Sequence, residues 1–160
     1  MIAQRDILSG QGVTWRAAAA SDLAAIERIA NVVHPELAER PDVFAEKLDL
    51  FPEGCFVLVK DDILWGYAFV HPWNLNDIPK LNRLLFRLPA ASECLLIHDV
   101  AVLVRARGQG ASKFLLERVA NLARERGLSC LALVAVYNSH LHWERLGFQI
   151  VSNDALADKL

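Results

Sequence analysis

One stretch of the chain decides the fold, and it reads Val100-Ala101-Val102-Leu103-Val104-Arg105-Ala106-Arg107-Gly108-Gln109-Gly110-Ala111-Ser112-Lys113. It begins as an apolar segment typical of a buried strand, passes through a turn with two glycines, and continues as a helix. Such a turn directs free backbone N–H groups to a common point at the helix start, where the helix dipole also favours an anion. Glycine has no side chain, so a phosphate can approach the backbone closely. The stretch therefore predicts a pyrophosphate site.

The charges around this turn favour the same interpretation. Arg105, Arg107 and Lys113 form a local positive cluster in a chain whose net charge is only -2. The alternative is an ordinary surface turn with solvated arginines, which the position between a buried strand and an amphipathic helix disfavours. The turn is not the dinucleotide-binding G-x-G-x-x-G, because Lys113 occupies the place of the third glycine, and the sequence contains no G-x-x-x-x-G-K-S/T.

Outward from this stretch, the hydrophobic pattern alternates between strand and helix periods. We predict strands at residues 13–16, 55–60, 63–70, 94–104, 128–136 and 148–151. Helices are expected after Ser21-Asp22, over residues 37–50, over 111–126 and over 139–146, with a further short helix around Leu81 to Leu88 inside an otherwise irregular segment.

Composition predicts one globular domain. The chain has 160 residues, of which 54% are hydrophobic and 22% charged, enough for one core and no second one. The nearly neutral balance argues against nucleic acid and anionic membrane as partners. Cys55, Cys94 and Cys130 lie in apolar, strand-like runs, which suggests core residues in a reducing compartment. With no targeting segment or bilayer-length apolar run at Met1 or later, we expect a cytoplasmic protein, and no metal site is expected.

Two motifs resemble those of the GNAT superfamily of acetyl-coenzyme A-dependent N-acetyltransferases. Arg107-Gly108-Gln109-Gly110-Ala111-Ser112 is similar to the cofactor motif Q/R-x-x-G-x-G/A, with Ser112 in place of its last Gly/Ala. The alternative register from Arg105 matches every motif letter and shares Gly108 and Gly110. Near the C-terminus, Trp143-Glu144-Arg145-Leu146-Gly147-Phe148 is similar to Y-E-K/R-L-G-F.

The resemblance covers nearly the whole chain and implies an α/β (α+β) fold. We expect a single GNAT-like domain over residues 1–160, with a mixed central sheet of about six to seven strands and about four flanking helices. It implies acetyl-CoA as co-substrate and an amine of a small molecule or peptide as acceptor, attacked directly in a ternary complex. The sequence leaves a homodimer open.

The resemblance also implies the cofactor contacts. The turn residues Arg107, Gly108, Gln109, Gly110, Ala111 and Ser112 would hold the pyrophosphate. The backbone of Val100, Ala101 and Val102 would bind the pantetheine and the thioester carbonyl, where this strand splays from the one beginning near Leu128. Asn138 matches a position that often contacts the cofactor, although a turn or N-cap asparagine explains it equally well.

Proton transfer needs its own residues, because an amine with a pKa near ~10.4 costs roughly 4–5 kcal/mol to deprotonate at pH 7. His98 is our first candidate base: it has the strand parity of Val100 and Val102, and His98-Asp99-Val100-Ala101-Val102 resembles the H-x-L-A-V of serotonin-type arylalkylamine acetyltransferases. A core histidine with a backbone partner is the alternative. Asp99, expected on the opposite face in a structural hydrogen bond to a neighbouring loop, is the backup base.

The general acid is missing from its usual place, because the family's tyrosine aligns with Trp143, whose indole N–H has no useful acidity. Tyr137 is the candidate catalytic substitute, with His140 and His142 as further options. The reaction can proceed without this acid, because a thiolate leaving group needs little protonation: the pKa of a thiol is only roughly 8.5. Two alternatives remain: a degenerate, non-catalytic acyl-CoA-binding module, and an interaction domain whose glycine turn binds nothing.

Overall fold

A computed structural model describes residues 12–151, so both ends of the predicted 1–160 domain lie outside the described residues. The helices and strands follow in the order β1 (Thr14–Ala17), α1 (Leu23–Val33), α2 (Pro41–Leu50), β2 (Cys55–Lys60), β3 (Ile63–Trp73), β4 (Cys94–Val102), α3 (Ala111–Glu125), β5 (Leu131–Leu133) and α4 (His140–Arg145). Three single 3-10 turns connect some of them.

The sheet has the strand order β1-β2-β3-β4-β5. Neighbours pair antiparallel up to β4, and β5 adds to β4 in parallel. One face of the sheet packs on α3 through residues such as Leu115 and Val119, and the other face packs on α1 and α2 through residues such as Ile26 and Phe44. The mixed α+β architecture expected from the sequence is confirmed.

Several predicted elements form close to their expected bounds. The β2–β3 hairpin turns at Asp61-Asp62, whose φ angles of 51° and 60° are those of a tight primed turn. Helix α3 ends where Gly127, with φ 69°, takes the left-handed conformation that stops a helix. Helix α2 begins at Pro41 rather than at residue 37, because proline favours the first helical position and holds the residue before it extended.

The sheet is smaller than expected. Within residues 12–151 it has five strands rather than six to seven: the predicted strand at 148–151 does not form, and the one at 128–136 is reduced to Leu131–Leu133. The helix predicted around Leu81 to Leu88 is also absent from this part of the chain. Its backbone N–H groups are taken by carboxylates, since Glu39 accepts from Asn82 and Glu46 accepts from Leu85 and Phe86.

The sequence predicts that the three cysteines are core residues. Cys55 and Cys94 are buried core residues, Cys130 is partly buried, and all three are free thiols. None of the helices between residues 12 and 151 is long and apolar enough to cross a membrane.

Candidate active site

A β-bulge at His98 sets the geometry of the site. Phe69 pairs with Asp99 and the next residue, Val70, pairs with Ile97, so His98 is an extra residue on β4. A bulge places two successive side chains on the same side of the sheet. His98 and Asp99 therefore both face α1 and α2, and the expectation that His98 shares the parity of Val100 and Val102 is wrong.

Strands β4 and β5 separate immediately after the bulge. Their pairing runs only from Leu95–Leu131 to Ile97–Leu133, which confirms the expected splay. Because Leu103 N–H donates to Trp65 of β3, the antiparallel alternation also directs the backbone of Ala101 to β3. The prediction that the backbone of Ala101 contacts the cofactor on the open side of β4 is therefore wrong.

The backbone of Val100 and Val102 faces the opening between the strands. His34 Nε2 lies 3.0 Å from the Val100 carbonyl oxygen, and Arg107 Nε donates to the Val102 carbonyl oxygen at 3.2 Å. Since the N–H and C=O of one strand residue point the same way, the amides of these two valines also face the opening.

The glycine turn presents the start of α3 to the same opening. Gly108 and Gly110 have φ angles of 77° and 78°, a conformation that glycine adopts without strain. Gly110 is the N-cap residue and supplies no side chain to the first-turn amides. Trp15 fixes the helix start to β1, because its buried indole N–H donates to the Ala111 carbonyl oxygen at 2.8 Å. The start of α3 is therefore anchored to β1, and its first-turn amides have no side-chain cap.

A single cleft of about 1370 Å³ joins these parts. Its walls include the predicted residues His98, Asp99, Val100, Val102, Arg107, Gly108, Gly110, Ala111, Ser112 and Tyr137. Of the residues predicted to be catalytic or to bind the cofactor, Ala101, Gln109 and Asn138 do not line it, and neither do the further candidates Arg105 and His140. The structure thus brings most of the predicted site together around one space.

His34 is a site residue that the sequence did not reveal. Its Nε2 lies 3.4 Å from Asp99 Oδ1, and its ring stacks on Tyr137 with 5.5 Å between centroids and 4° between planes. Asp99 also accepts from the Tyr67 hydroxyl at 2.9 Å, so its structural hydrogen bond is made to strand β3 and not to a loop. Burial acts to lower the pKa of His34, but Asp99 and the Val100 carbonyl outweigh it, and the pKa lies above its ordinary value.

Four side chains form what we call the buried polar cluster: Glu39, Lys47, His71 and His98. Lys47 Nζ donates to Glu39 Oε1 at 3.0 Å, and Glu39 Oε1 lies 3.8 Å from His98 Nε2. His98 Nδ1 and His71 Nε2 are 2.8 Å apart. Burial lowers the pKa of His71 to about 4 and, with Lys47 and His71 nearby, lowers the pKa of His98 well below its usual value. No sequence pattern singled out Glu39 or Lys47 as a site residue.

The residues near the C-terminal motif have different roles. Trp143 is buried and packs edge-on against Phe148, with 5.7 Å between ring centroids, which makes it a packing residue at the cleft wall. His142 Nε2 lies 3.0 Å from Ser112 Oγ, so the departure from Gly/Ala at this position is matched by a partner on α4. His140 is exposed. Tyr137 and Asn138 both have left-handed φ angles, 52° and 57°, in the turn between β5 and α4.

Metal ligands are not grouped in the part of the chain that the structure describes: residues 12–151 contain no set of three or more His, Cys, Asp or Glu side chains that could hold an ion.

The same fold occurs in solved structures. The GNAT-like decarboxylase GphF, in complex with isobutyryl-CoA, is 20% identical with a TM-score of 0.69, covering 85% of this chain and 72% of that one. The ribosomal-protein-S18-alanine N-acetyltransferase from Escherichia coli is 20% identical with a TM-score of 0.62 over 88% and 79%. Arabidopsis thaliana Naa50, solved with a bisubstrate analogue, is 16% identical with a TM-score of 0.66 over 89% and 86%. At these identities the likeness establishes a GNAT-like α+β fold.

The relationship extends beyond the fold. The family model described as Acetyltransferase (GNAT) family matches residues 22–148, and the chain belongs to this family. It is a family of acyl-CoA-dependent acyltransferases, with decarboxylases among the proteins of similar fold. A comparison with curated proteins gives no significant match.

Proposed function

We propose that the chain transfers an acetyl group from acetyl-CoA to an amine of a small molecule or peptide, by direct attack in a ternary complex. One observation carries the proposal: a single cleft runs from the glycine turn at the start of α3 to the gap where β4 and β5 separate. Coenzyme A has an anionic diphosphate at one end and an extended arm with two amides leading to the thiol, so its two parts match the two ends of this cleft.

The diphosphate end fits the residues present. Gly110 leaves the first-turn amides of α3 without a side-chain cap, and a diphosphate would satisfy them while gaining from the helix dipole. Arg107 and Ser112 line the cleft at this end, and the Ser112 hydroxyl adds a polar group beside the amides. Gln109 and Ala111 would contribute backbone N–H groups only.

The arm end fits through main-chain hydrogen bonds. The Val100 and Val102 carbonyls already accept from His34 and Arg107, so the amides of these valines are the groups that would meet the arm and the thioester carbonyl. An extended ligand beside β4 would continue the sheet where β5 leaves it. Asn138, outside the cleft wall, is proposed to hold the turn after β5 rather than to contact the ligand directly.

The proton-transfer roles follow from what each side chain contacts. His98 is the first candidate to accept the proton of the amine, because it lines the cleft and is neutral at physiological pH. Asp99 is the backup base, although Tyr67 and His34 already occupy its carboxylate. The half-exposed Tyr137 hydroxyl is the proposed donor to the leaving thiolate, a role for which the buried Trp143 is unsuited.

The proposal is tested by thiol release from acetyl-CoA with a library of acceptors: 2-phenylethylamine, spermidine, free amino acids and short peptides with free N-termini. We expect acceptor-dependent release with the native chain and a large loss with His98→Ala. Coenzyme A should raise the melting temperature of both proteins. If the chain binds coenzyme A but only hydrolyses the thioester slowly, with no acceptor-dependent release of thiol, the acyl-CoA-binding module is favoured instead. If it does not bind coenzyme A, a plain interaction domain is favoured.

A further inference from the structure

The buried polar cluster contains more ionisable groups than the proposed reaction requires, since His98 alone could accept the proton of the amine. Lys47 and Glu39 have side chains that are only 2% exposed, and desolvating two opposite charges costs stability that an apolar pair of the same size would not. The pair nevertheless lies directly behind the cleft, and Glu39 and His98 both contribute to the cleft wall. Buried ionisable groups in such a position are typical of functional sites.

Hydrogen-bond chemistry fixes the protonation of the two histidines. The Pro72 carbonyl can only accept, so His71 Nδ1, 3.0 Å away, carries the hydrogen and His71 Nε2 is a bare acceptor. His98 Nδ1 must then donate to His71 Nε2 at 2.8 Å. In the neutral ring this leaves His98 Nε2 as a bare acceptor, 3.8 Å from Glu39 Oε1.

Two proton acceptors therefore face each other beside the cleft. We propose that Glu39 is the residue that stores the proton removed from the acceptor amine, taking it up by way of His98 Nε2. Glu39 is a positioning residue in this scheme, because it acts through the histidine and does not touch the amine. The inference rests on the acyl transfer proposed above and identifies where its proton goes.

The proton balance is simple. The acceptor enters as an ammonium ion, and one N–H proton passes to His98 Nε2. Because Nε2 has one lone pair, the ring then turns so that the new N–H points at Glu39 Oε1 and closes the 3.8 Å gap, and the carboxylate takes the proton. The free amine then forms the new C–N bond to the acetyl carbon while the C–S bond breaks. The second N–H proton ends on the leaving thiolate, and Glu39 returns its proton to water before the next turnover.

The surrounding groups explain why the carboxylate and not the ring keeps the proton. Lys47 on α2 and His71 on β3 both oppose a positive charge on His98. Burial raises the pKa of Glu39 above its ordinary value, Lys47 offsets part of this, and Asp99 on β4 adds to it. Glu46 on α2 acts on His71, whose pKa it tends to raise. Burial and these charges therefore disfavour a proton on His98 and favour one on Glu39.

The test compares Glu39→Gln with Glu46→Gln. Both remove a carboxylate that accepts backbone N–H groups from the segment 74–93, but only Glu39 faces His98. With the library amine of highest turnover at pH 7, we expect Glu39→Gln to lower kcat by about 100-fold, the lower end of general acid–base contributions, with an unchanged KM for acetyl-CoA. The deficit should shrink as pH approaches the pKa of the amine, where no base is needed. Glu46→Gln should keep the native pH profile.

A second measurement needs no variant. Carbon-13 NMR of the native chain should show the Glu39 carboxyl taking up its proton at a pH above the ordinary range of a glutamate, with His98 still neutral at that pH. A Glu39→Gln enzyme with the native pH profile, or a Glu39 carboxyl that titrates at an ordinary value, would overturn the inference while leaving acyl transfer intact. If the proposed function itself is wrong, the native chain will release no thiol with any acceptor. The NMR titration would then still decide the protonation of Glu39.

Discussion

Replacing Gly110 by aspartate separates coenzyme A binding from folding. The residue has φ 78°, and a Cβ atom there would meet only the Phe114 ring, at 3.4 Å. Aspartate tolerates the left-handed conformation better than most residues, and its negative charge at the start of α3 gains from the helix dipole. We expect the unliganded fold to keep its stability to within about 1 kcal/mol, because the strain and the dipole interaction oppose each other.

The effect on binding follows from Coulomb's law. A carboxylate sharing the same amides with a phosphate lies about 4 Å from it, which costs about 1 kcal/mol per charge pair in water and about 4 kcal/mol at an effective dielectric constant of 20. The Kd for coenzyme A should therefore rise by about 5- to 1000-fold. At 100 times its native Kd, coenzyme A stabilises the native chain by about 2.7 kcal/mol, and a tenfold weaker Kd halves this to about 1.4 kcal/mol.

The assay is thermal unfolding with and without coenzyme A. The native chain should gain about 5–10 °C in Tm, and Gly110→Asp at most about two-thirds of that, with the difference shrinking at high salt. Gly127→Asp is the matched control at the other end of α3: it has φ 69° and open space around the new side chain. It should lower stability by about 1–3 kcal/mol, through left-handed strain and an unfavourable charge at the C-terminal end of the helix dipole, and leave the coenzyme A shift unchanged. An undiminished shift in Gly110→Asp would refute the placement of the diphosphate.

Two further predictions concern contacts that hold the site in place. Trp15→Phe removes the donor to the Ala111 carbonyl and should lower the free energy of unfolding by about 1–3 kcal/mol, measured in urea; an unchanged value would show that this bond does not fix α3 to β1. His71 should titrate with a pKa of about 4 when its ring protons are followed by NMR. Because the unfolded chain takes up this proton near a pKa of ~6.5, His71 makes stability fall as pH drops from about 6.5 to 4, and a midpoint near 6.5 would contradict its burial.

The local patterns of the sequence were sufficient for the main elements. Helix α3 is predicted to within a residue, because its apolar stripe and Gly127 are both signals within the helix and its end. The β2–β3 hairpin is predicted for the same reason, with Asp61-Asp62 as its turn. The predicted bounds were less accurate for elements whose ends depend on a neighbouring strand. Strand β5 stops at Leu133 because β4 turns away from it, and no residue within β5 signals this.

The residues of the candidate site differ in the same way, since some belong to a local motif and others meet only through long-range contacts. The glycine turn and the open side of Val100 and Val102 follow from a contiguous motif, and the structure places them on one cleft. His34 could not be found in this way, since it reaches Val100 across 66 positions of sequence. Glu39 likewise reaches Asn82 across 43 positions, and neither residue belongs to a periodic pattern.

The sequence by itself determined the family and the strand–turn–helix unit, because these depend on residue order, glycine conformation and hydrophobic period over short distances. Only the tertiary structure decided which way His98 faces. A bulge arises from the register between β3 and β4, and one extra residue turns the side chain from the α3 face to the face of α1 and α2. That reversal brings His98 to Glu39 and His71, and it is the physical basis of the proton storage proposed for this site.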